Sequence, residues 1–318
     1  MNRAAILAGA LNAFLCVAQE QPVFRAGVSL VHTDAEVTDG ARILTGFQKE
    51  DFRILDNGQP QPILAMSQEE KPLDIILLFD TSGSMRLVVQ KVAATARVSL
   101  AELQPGDRVA VMAFSWRSRL VAPFTGDLDA VERAIQQDVL RMTRGGTRIL
   151  AAVDDAAKYF LQEPRTERRR AVLIITDNFG QKSRRESTVV GSLWEADAML
   201  CGLIVRSAVF ATFHTINTIQ APWVRLLEEG MTHAAEKTGG DVVKAGDPGT
   251  AFQEMMHRIR QRYSLYYAMP EGKPGEQRKI TVMLSEDARQ RYPQGRVRAR
   301  TGYRIPKGEG RLTATGQS

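Results

Sequence analysis

The stretch Ile75–Met85, IILLFDTSGSM, joins an apolar run to a short polar loop. Five successive apolar residues, Ile75–Phe79, predict a buried strand at the centre of a sheet. Asp80 ends this strand, and Ser82 and Ser84 follow it on a glycine-containing turn. In a parallel α/β sheet, ligands bind at the carboxyl ends of the strands. One carboxylate and two hydroxyls therefore face one point, and Mg²⁺ is typically bound by such oxygen ligands together with retained water.

An Asp-x-Ser-x-Ser sequence directly after an apolar strand resembles the metal-ion-dependent adhesion site (MIDAS) of von Willebrand factor A (VWA) domains. The resemblance implies a threonine in a glycine-rich loop, and Thr147 precedes the helical pattern Ile149–Phe160. It also implies an aspartate after a second buried strand, and Asp177 follows Ala171–Thr176. On this resemblance, the ion is Mg²⁺, with Mn²⁺ and Ca²⁺ as alternatives, and the metal-site residues are Asp80, Ser82, Ser84, Thr147 and Asp177.

Two of these residues also have ordinary structural interpretations. A hydroxyl near a helix start, such as that of Thr147, caps backbone donors in many helices, and an aspartate after a strand is a common turn former. The matching order of all five positions favours the metal site. One departure concerns the loop after Asp177, where the family usually has glycine and then an acidic residue, whereas this chain has Asn178 and Phe179. Asparagine tolerates positive φ, so the turn is expected to persist while partner preference differs.

Length and composition indicate a globular protein with more than one domain. The chain has 318 residues, of which 44% are hydrophobic and 25% are charged. This composition is that of a folded chain, and the length is enough for two domains.

The N-terminus has the pattern of a signal peptide. Arg3 supplies a positive charge, and Ala4–Val17 is apolar but too short to span a bilayer comfortably. A small-x-Ala cleavage site ends at Ala18. An uncleaved anchor is one alternative, and a lipoprotein using Cys16 is disfavoured by the bulky Leu15 before it. Removal of residues 1–18 predicts an exported, soluble protein that is periplasmic, secreted or located at the cell surface, without a transmembrane span.

The net charge of +6 comes partly from clustered arginines, including a group within residues 165–170 and the pair Arg184 and Arg185. Solvated surface is the favoured interpretation, because no nucleic-acid-binding motif accompanies these clusters. A nucleic-acid partner is therefore not expected, whereas a general attraction to acidic surfaces stays open.

The first β-rich region covers residues 24–72. Val28–Thr38 alternates as a strand does, and Asp56-Asn57-Gly58 is a hairpin turn flanked by the short strands Phe52–Leu55 and Ile63–Met66. A piece of this size is too small to bury a good core by itself.

Strands and helices alternate over residues 73–261, which predicts an α/β domain with a doubly wound, mostly parallel sheet, as in VWA domains. Residues 262–305 return to strands, with Val297–Tyr303 as the last, and residues 306–318 are expected to be a disordered tail. The economical interpretation is one sandwich-like all-β domain built from both chain ends, with the α/β domain inserted between them.

The order of motifs from Phe24 to Tyr303 resembles a group of exported bacterial proteins, the VWA-related proteins of acidobacterial type. The resemblance to that group assigns no biochemical activity to this chain. Residues 206–222 depart from the family, since they are too apolar for an ordinary loop. Packing within the domain is favoured, and an exposed apolar surface for a partner is the alternative.

The resemblance implies a binding module in which a metal ion accepts a carboxylate from an Asp or Glu of a partner protein. A metal-dependent hydrolase is disfavoured, because no histidine is expected on the metal loops and a hydrolytic site usually has more carboxylates. An envelope scaffold with a vestigial metal site is the third interpretation. The sequence leaves the partner and the oligomeric state open.

Overall fold

The computed structural model describes residues 29–68, 71–142, 145–181, 183–205 and 231–306. Three predictions fall outside these ranges: the signal peptide 1–18, the apolar segment 206–222, and all but the first residue of the tail 306–318. Within the described part, no helix is both long enough and apolar enough to cross a membrane.

The described strands and helices are as follows. The strands are β1 Leu30–Asp39, β2 Arg42–Ile43, β3 Phe52–Asp56, β4 Gln59–Gln61, β5 Ile63–Gln68, β6 Leu73–Asp80, β7 Arg108–Phe114, β8 Ser118–Thr125, β9 Arg169–Thr176, β10 Ala198–Val205, β11 Val242–Ala245, β12 Tyr263–Ala268, β13 Gln277–Leu284, β14 Arg296–Ala299 and β15 Gly302–Arg304. The helices are α1 Arg86–Leu100, α2 Leu128–Arg133, α3 Ile149–Gln162, α4 Glu186–Ala196, α5 Met231–Thr238, α6 Pro248–Arg260 and α7 Glu286–Arg291.

Six of the described strands form the central sheet, in the order β11, β10, β9, β6, β7, β8. Neighbouring strands are parallel except β7 and β8, which are antiparallel. Every residue of β6, β9 and β10 is buried, as expected for strands covered on both faces. The predicted doubly wound, mostly parallel sheet is confirmed.

Successive residues of β6 point to opposite faces of this sheet. Ile75, Leu77 and Phe79 belong to a core that also contains apolar residues of α1 and α6. Ile76 and Leu78 belong to a second core, with residues of α3, α4 and α5. The two cores hold β6 in the middle of the domain, so the loop that follows Asp80 begins from a rigid strand.

Local backbone conformation bounds two of the helices. Asp127 caps the start of α2 by accepting from the backbone of Ala130 at 3.0 Å, and after α2 the helix widens into a π turn at residues 134–138. The helix α4 ends at Ala196, because Asp197 takes a left-handed conformation at φ 53° that stops a helix.

The two chain ends pair in two antiparallel sheets. One has the order β14, β1, β12, β5 with β2 beside β1, and the other has the order β15, β13, β3, β4. Each sheet therefore contains strands from both sides of the α/β domain. Apolar residues of both sheets share one core, which includes Val31, Phe52, Leu265, Ile280 and Tyr303. The predicted insertion of an α/β domain into a sandwich-like β domain is confirmed.

The buried carboxylate of Asp56 connects the N-terminal and C-terminal parts of the sandwich domain. Asp56 ends β3, and its Oδ2 accepts hydrogen bonds from the hydroxyls of Tyr267 and Tyr303, both at 2.9 Å. Its Oδ1 accepts from Arg278 at 2.7 Å. One residue of the N-terminal part thus binds three side chains of the C-terminal part.

Two strand predictions are wrong in their pairing. At the hairpin, Asn57 and Gly58 have φ of 47° and 82°, as a type I′ turn requires. The strand after the turn is the short β4 rather than β5, which crosses to the other sheet and pairs with β12. The prediction over Val297–Tyr303 is likewise two strands, β14 and β15, in different sheets, because Thr301 between them donates to the carbonyl of Lys237 in the α/β domain at 3.0 Å.

Candidate metal centre

Asp80 is held rigidly at the end of β6. Its side chain is fully buried. Oδ1 accepts from the backbone amide of Ser82 at 2.9 Å, and Oδ2 accepts from the hydroxyl of Thr176 at 2.7 Å. Thr176 is the last residue of β9, which lies beside β6. The two adjacent strand ends therefore fix both oxygens of this carboxylate.

Ser82, Ser84 and Asp177 lie together beside it. The hydroxyl of Ser84 donates to Oδ2 of Asp177 at 2.6 Å, and the hydroxyls of Ser82 and Ser84 are 3.3 Å apart. The other oxygen of Asp177 accepts from the backbone of Phe179 at 3.0 Å. Four of the five residues predicted from sequence are thus joined by hydrogen bonds.

Thr147 lies in the neighbouring loop and is buried. Its carbonyl accepts from the backbone of Gln181 at 2.8 Å, which ties this loop to the one that carries Asp177. Among the described residues, its hydroxyl has no hydrogen bond to the other four side chains or to the start of α3. Its role as a metal-site residue stays a prediction. The alternative interpretation is wrong, since α3 begins after Arg148 without a side-chain cap.

Four loops at this edge of the sheet are linked in a closed circuit. Thr81 donates its amide to the carbonyl of Phe114 at 2.8 Å, and Arg148 donates its amide to Ser115 at 3.1 Å. The bond from Gln181 to Thr147 and the bond from Ser84 to Asp177 complete the circuit. These bonds join loops that are distant in sequence, so contacts within the protein position the donor groups.

The electrostatics of the site favour a cation. Burial and the negative charge of Asp177 raise the pKa of Asp80 to about 7, although hydrogen bonds from Ser82 and Thr176 oppose the shift. Burial also raises the pKa of Asp177. No described lysine, arginine or histidine forms an ion pair with either carboxylate. Two buried acidic groups without a basic partner are unfavourable to ionise unless a positive charge lies between them.

The donor set fits a hard divalent cation. It consists of two carboxylates and two serine hydroxyls, with Thr147 beside them, and such oxygen ligands suit Mg²⁺. Within the described residues, no group of three or more His, Cys, Asp and Glu side chains could hold a metal ion. A cation at this position would therefore depend on hydroxyls and water as well as on Asp80 and Asp177.

The departure at Asn178 leaves the turn intact, as predicted. Asn178 has φ of 58°, and its backbone amide donates to the hydroxyl of Thr176 at 3.1 Å. That hydroxyl in turn donates to Asp80, so Thr176 links the Asp177 loop to the first metal-site residue. No sequence motif points to Thr176, whose only signal is its position as the last residue before Asp177.

A second residue outside the predicted set is Trp116, on the loop after β7. Its indole lies against the backbone of Gly145 and Gly146, where a Cβ on Gly146 would overlap the ring. The guanidinium of Arg148 lies over the same ring, 5.4 Å from its centroid. Gly145 and Gly146 thus provide space for the indole of Trp116, a residue that is 44% exposed.

A comparison with protein families matches the central part of the chain. Residues 75–181 match the family model described as the von Willebrand factor type A domain. The chain therefore contains a VWA domain, and the matched region runs from the strand before Asp80 to the loop after Asp177. VWA domains mediate protein interactions and commonly bind a divalent metal at the MIDAS. The narrower resemblance to the acidobacterial type stays a prediction.

Several solved structures are similar to this chain. BatB from Bacteroides thetaiotaomicron has a TM-score of 0.45 and 18% identity, over 59% of this chain and 97% of that one. A von Willebrand factor type A protein from Catenulispora acidiphila has a TM-score of 0.44 and 14% identity, over 89% and 74%. Proximal thread matrix protein 1 from the mussel byssus, with a zinc-occupied MIDAS motif, has a TM-score of 0.44 and 14% identity, over 61% and 49%. No curated protein matches the chain.

Proposed function

We propose that this protein is an exported binding module that captures a carboxylate of a partner protein through a divalent cation. The cation, Mg²⁺ in the first instance, is held by the five residues Asp80, Ser82, Ser84, Thr147 and Asp177. The partner presents an Asp or Glu that completes the coordination. The observation that carries the proposal is the buried pair Asp80 and Asp177, which lies with two serine hydroxyls and without a described basic partner.

The residues of the chain have separate tasks in this proposal. Asp80 and Asp177 supply the negative charge that attracts the ion. Ser82 and Ser84 supply neutral oxygens, and the remaining coordination positions are left to water, which an external carboxylate can replace. The bound ion would supply an electrophilic position for an external carboxylate. The strands β6 and β9 hold these groups at fixed positions, so little ordering is needed on binding.

Binding is favoured over catalysis by the surroundings of the site. The described histidines have partners elsewhere: His32 lies between Asp34 and Asp197, His233 contacts Glu186, and His257 lies 3.1 Å from Glu102. A nucleophile activated by a base needs that base within hydrogen-bond reach. No described histidine contacts Ser82, Ser84 or Thr147, which supports a site without chemistry. A scaffold with a vestigial metal site is the remaining alternative, and metal affinity distinguishes it.

Calorimetric titration of the chain without residues 1–18 tests the metal site directly. Mg²⁺, Mn²⁺ and Ca²⁺ are titrated into the wild type, into Asp80→Ala and into Asp138→Ala, in which an exposed aspartate outside the five predicted metal-site residues is replaced as the matched control. We expect binding in the wild type and the control but none in Asp80→Ala. Undiminished affinity in Asp80→Ala rules out this site, and absent affinity in the wild type favours the scaffold.

Capture of the partner tests the second half of the proposal. The immobilised protein is exposed to an extract of its host in Mg²⁺ and then washed with chelator. We expect the partner to be released by the chelator and not to be retained by Asp80→Ala. A partner that stays bound in excess chelator would show recognition by another surface.

A further inference from the structure

The four loops at the metal site carry their acidic residues buried and their basic residues exposed. They comprise the described residues of 80–87, 115–118, 145–148 and 177–185. Both acidic residues of these loops, Asp80 and Asp177, are buried. Every exposed charged side chain on the described loop residues is an arginine, and these five form what we call the basic rim: Arg86, Arg117, Arg148, Arg184 and Arg185.

Most of the rim has no internal counter-charge. Among the described residues, Arg86, Arg117 and Arg185 have no ion-pair or hydrogen-bond partner for their guanidinium groups. Arg148 lies over the Trp116 ring, and Arg184 lies 3.6 Å from Asp154. Exposed arginines without an ion-pair partner within the protein are available to bind an external anion.

From this distribution we infer that the partner segment is an acidic stretch of protein, in which the metal-binding carboxylate is flanked by further Asp or Glu residues. This inference rests on the proposed function, since it describes the partner of the same site. With a divalent cation balancing Asp80 and Asp177, the face carries only the positive charge of the basic rim. A segment with a single carboxylate would leave that charge unmatched, whereas flanking carboxylates match it.

The chemistry of the rim suits carboxylates in particular. A guanidinium presents a planar set of donors that binds a carboxylate through two parallel hydrogen bonds. Trp116 adds a large, partly exposed surface that is held in place by Gly145 and Gly146, and Leu87, which is 65% exposed, lies in the first turn of α1. Tryptophan and arginine dominate the energetics of protein interfaces. The face thus combines a central cation site, apolar contacts and surrounding positive charge.

Three synthetic peptides on a common Gly/Ser background test the inference: one with a single Asp, one with that Asp flanked by Glu, and one with it flanked by Lys. Binding to the chain without residues 1–18 is measured by fluorescence anisotropy in Mg²⁺ and in chelator, at low and high salt. We expect the Glu-flanked peptide to bind about tenfold more tightly than the single-Asp peptide, and the Lys-flanked peptide to bind least. The advantage should shrink at high salt because the rim is exposed.

Two matched double variants test whether the basic rim causes the preference for the Glu-flanked peptide. Arg86→Gln with Arg117→Gln should lose most of the preference for the Glu-flanked peptide while binding the single-Asp peptide almost as before. Arg42→Gln with Arg289→Gln removes two exposed arginines of the sandwich domain and should change neither affinity. Retained preference in the rim variant overturns the assignment of the rim.

The outcomes separate this inference from the proposed function. Equal affinity for the single-Asp and Glu-flanked peptides in Mg²⁺ overturns the rim inference and leaves metal-dependent capture standing. A Glu-flanked preference that survives in chelator and is lost in the rim variant supports the rim and contradicts capture through the metal. Binding of none of the peptides overturns both. A heparin fragment that binds more tightly than the Glu-flanked peptide, independently of metal, overturns the choice of a protein segment in favour of an anionic polysaccharide.

Discussion

The hydroxyl of Ser84 donates a hydrogen bond of 2.6 Å to the carboxylate of Asp177, although 93 positions separate the two residues in the chain. Ser84 belongs to the loop after β6, and Asp177 follows β9, the adjacent parallel strand. The bond brings together the two loops that the sequence motif could only name separately. It also means that hydrogen bonds within the protein hold residues of the two loops together.

Replacing Asp80 by asparagine should abolish metal binding and stabilise the metal-free protein. The substitution keeps the shape of the side chain but removes a buried negative charge next to Asp177. We expect the free energy of unfolding without metal to rise by about 1–3 kcal/mol. Urea unfolding in chelator measures this change, with Asp138→Asn as the control. A metal-free Asp80→Asn that is clearly less stable than the wild type would contradict the repulsion argument.

His32 should make the stability of the protein depend on pH above neutrality. Burial by itself lowers the pKa of His32, but Asp34 and Asp197 outweigh it and raise the pKa to about 9 from 6.5. Protonated His32 is therefore favoured in the folded state. Its stabilisation is complete below pH 6.5 and is lost as the pH rises through about 9, a difference of about 3 kcal/mol.

Unfolding measured between these two pH values checks the role of His32. His32→Gln should flatten the pH dependence, and His257→Gln, a change at a half-exposed histidine, is the matched control. The groups around His32 include Arg300, which binds its carbonyl and pairs with Asp197, and Tyr266, whose ring is 5.2 Å away. An unchanged pH slope in His32→Gln would place the titration elsewhere.

Gly146→Ala should displace the Trp116 indole. The added methyl group overlaps the ring, and the resulting shift should destabilise the protein by about 1–3 kcal/mol. The pair Trp116→Ala and Gly146→Ala should cost less together than the sum of the single changes, because without the ring there is no overlap. Thermal unfolding of the three variants gives the coupling energy. Additive effects would show that the indole does not occupy the space above Gly146.

Truncation after Gln261 should unfold the N-terminal β segment. The described β1 pairs with β12 and β14, β3 pairs with β13, and all three partners lie beyond this point. Hydrogen exchange should then show lost protection over residues 29–68, while β6 and β9 of the α/β domain keep theirs. Equal protection of residues 29–68 with and without the tail would refute the joint sandwich.

Truncation should also expose a buried charge in the α/β domain. Arg169, only 1% exposed, donates to Asp34 of β1 at 2.9 Å. It also donates to the carbonyl of Ile259 at 2.8 Å. If β1 detaches, the guanidinium loses its carboxylate, so the α/β domain should remain folded but with reduced stability. A lower midpoint of urea unfolding, monitored at β6 and β9 by pulsed exchange, is the expected result.

Much of the α/β domain was predictable from the sequence, because the signals are local. A strand covered on both faces must be apolar at every position, as Ile75–Phe79 and Ala171–Thr176 are. Polar residues directly after such strands must lie at the ligand-binding edge of a parallel sheet, so Asp80, Ser82, Ser84 and Asp177 could be placed at one site from spacing and family resemblance. Asn178 could be expected in a turn because its side chain tolerates positive φ.

Other features were decided only by tertiary structure, because they depend on contacts between distant residues. The chain from Val297 to Tyr303 reads as one strand, yet it divides between two sheets where Thr301 binds the α/β domain. Thr176 fixes Asp80 only because β6 and β9 are neighbours. The seating of Trp116 on Gly145 and Gly146, and the gathering of arginines from four loops around two buried carboxylates, likewise arise when strand ends far apart in sequence meet at one edge of a sheet.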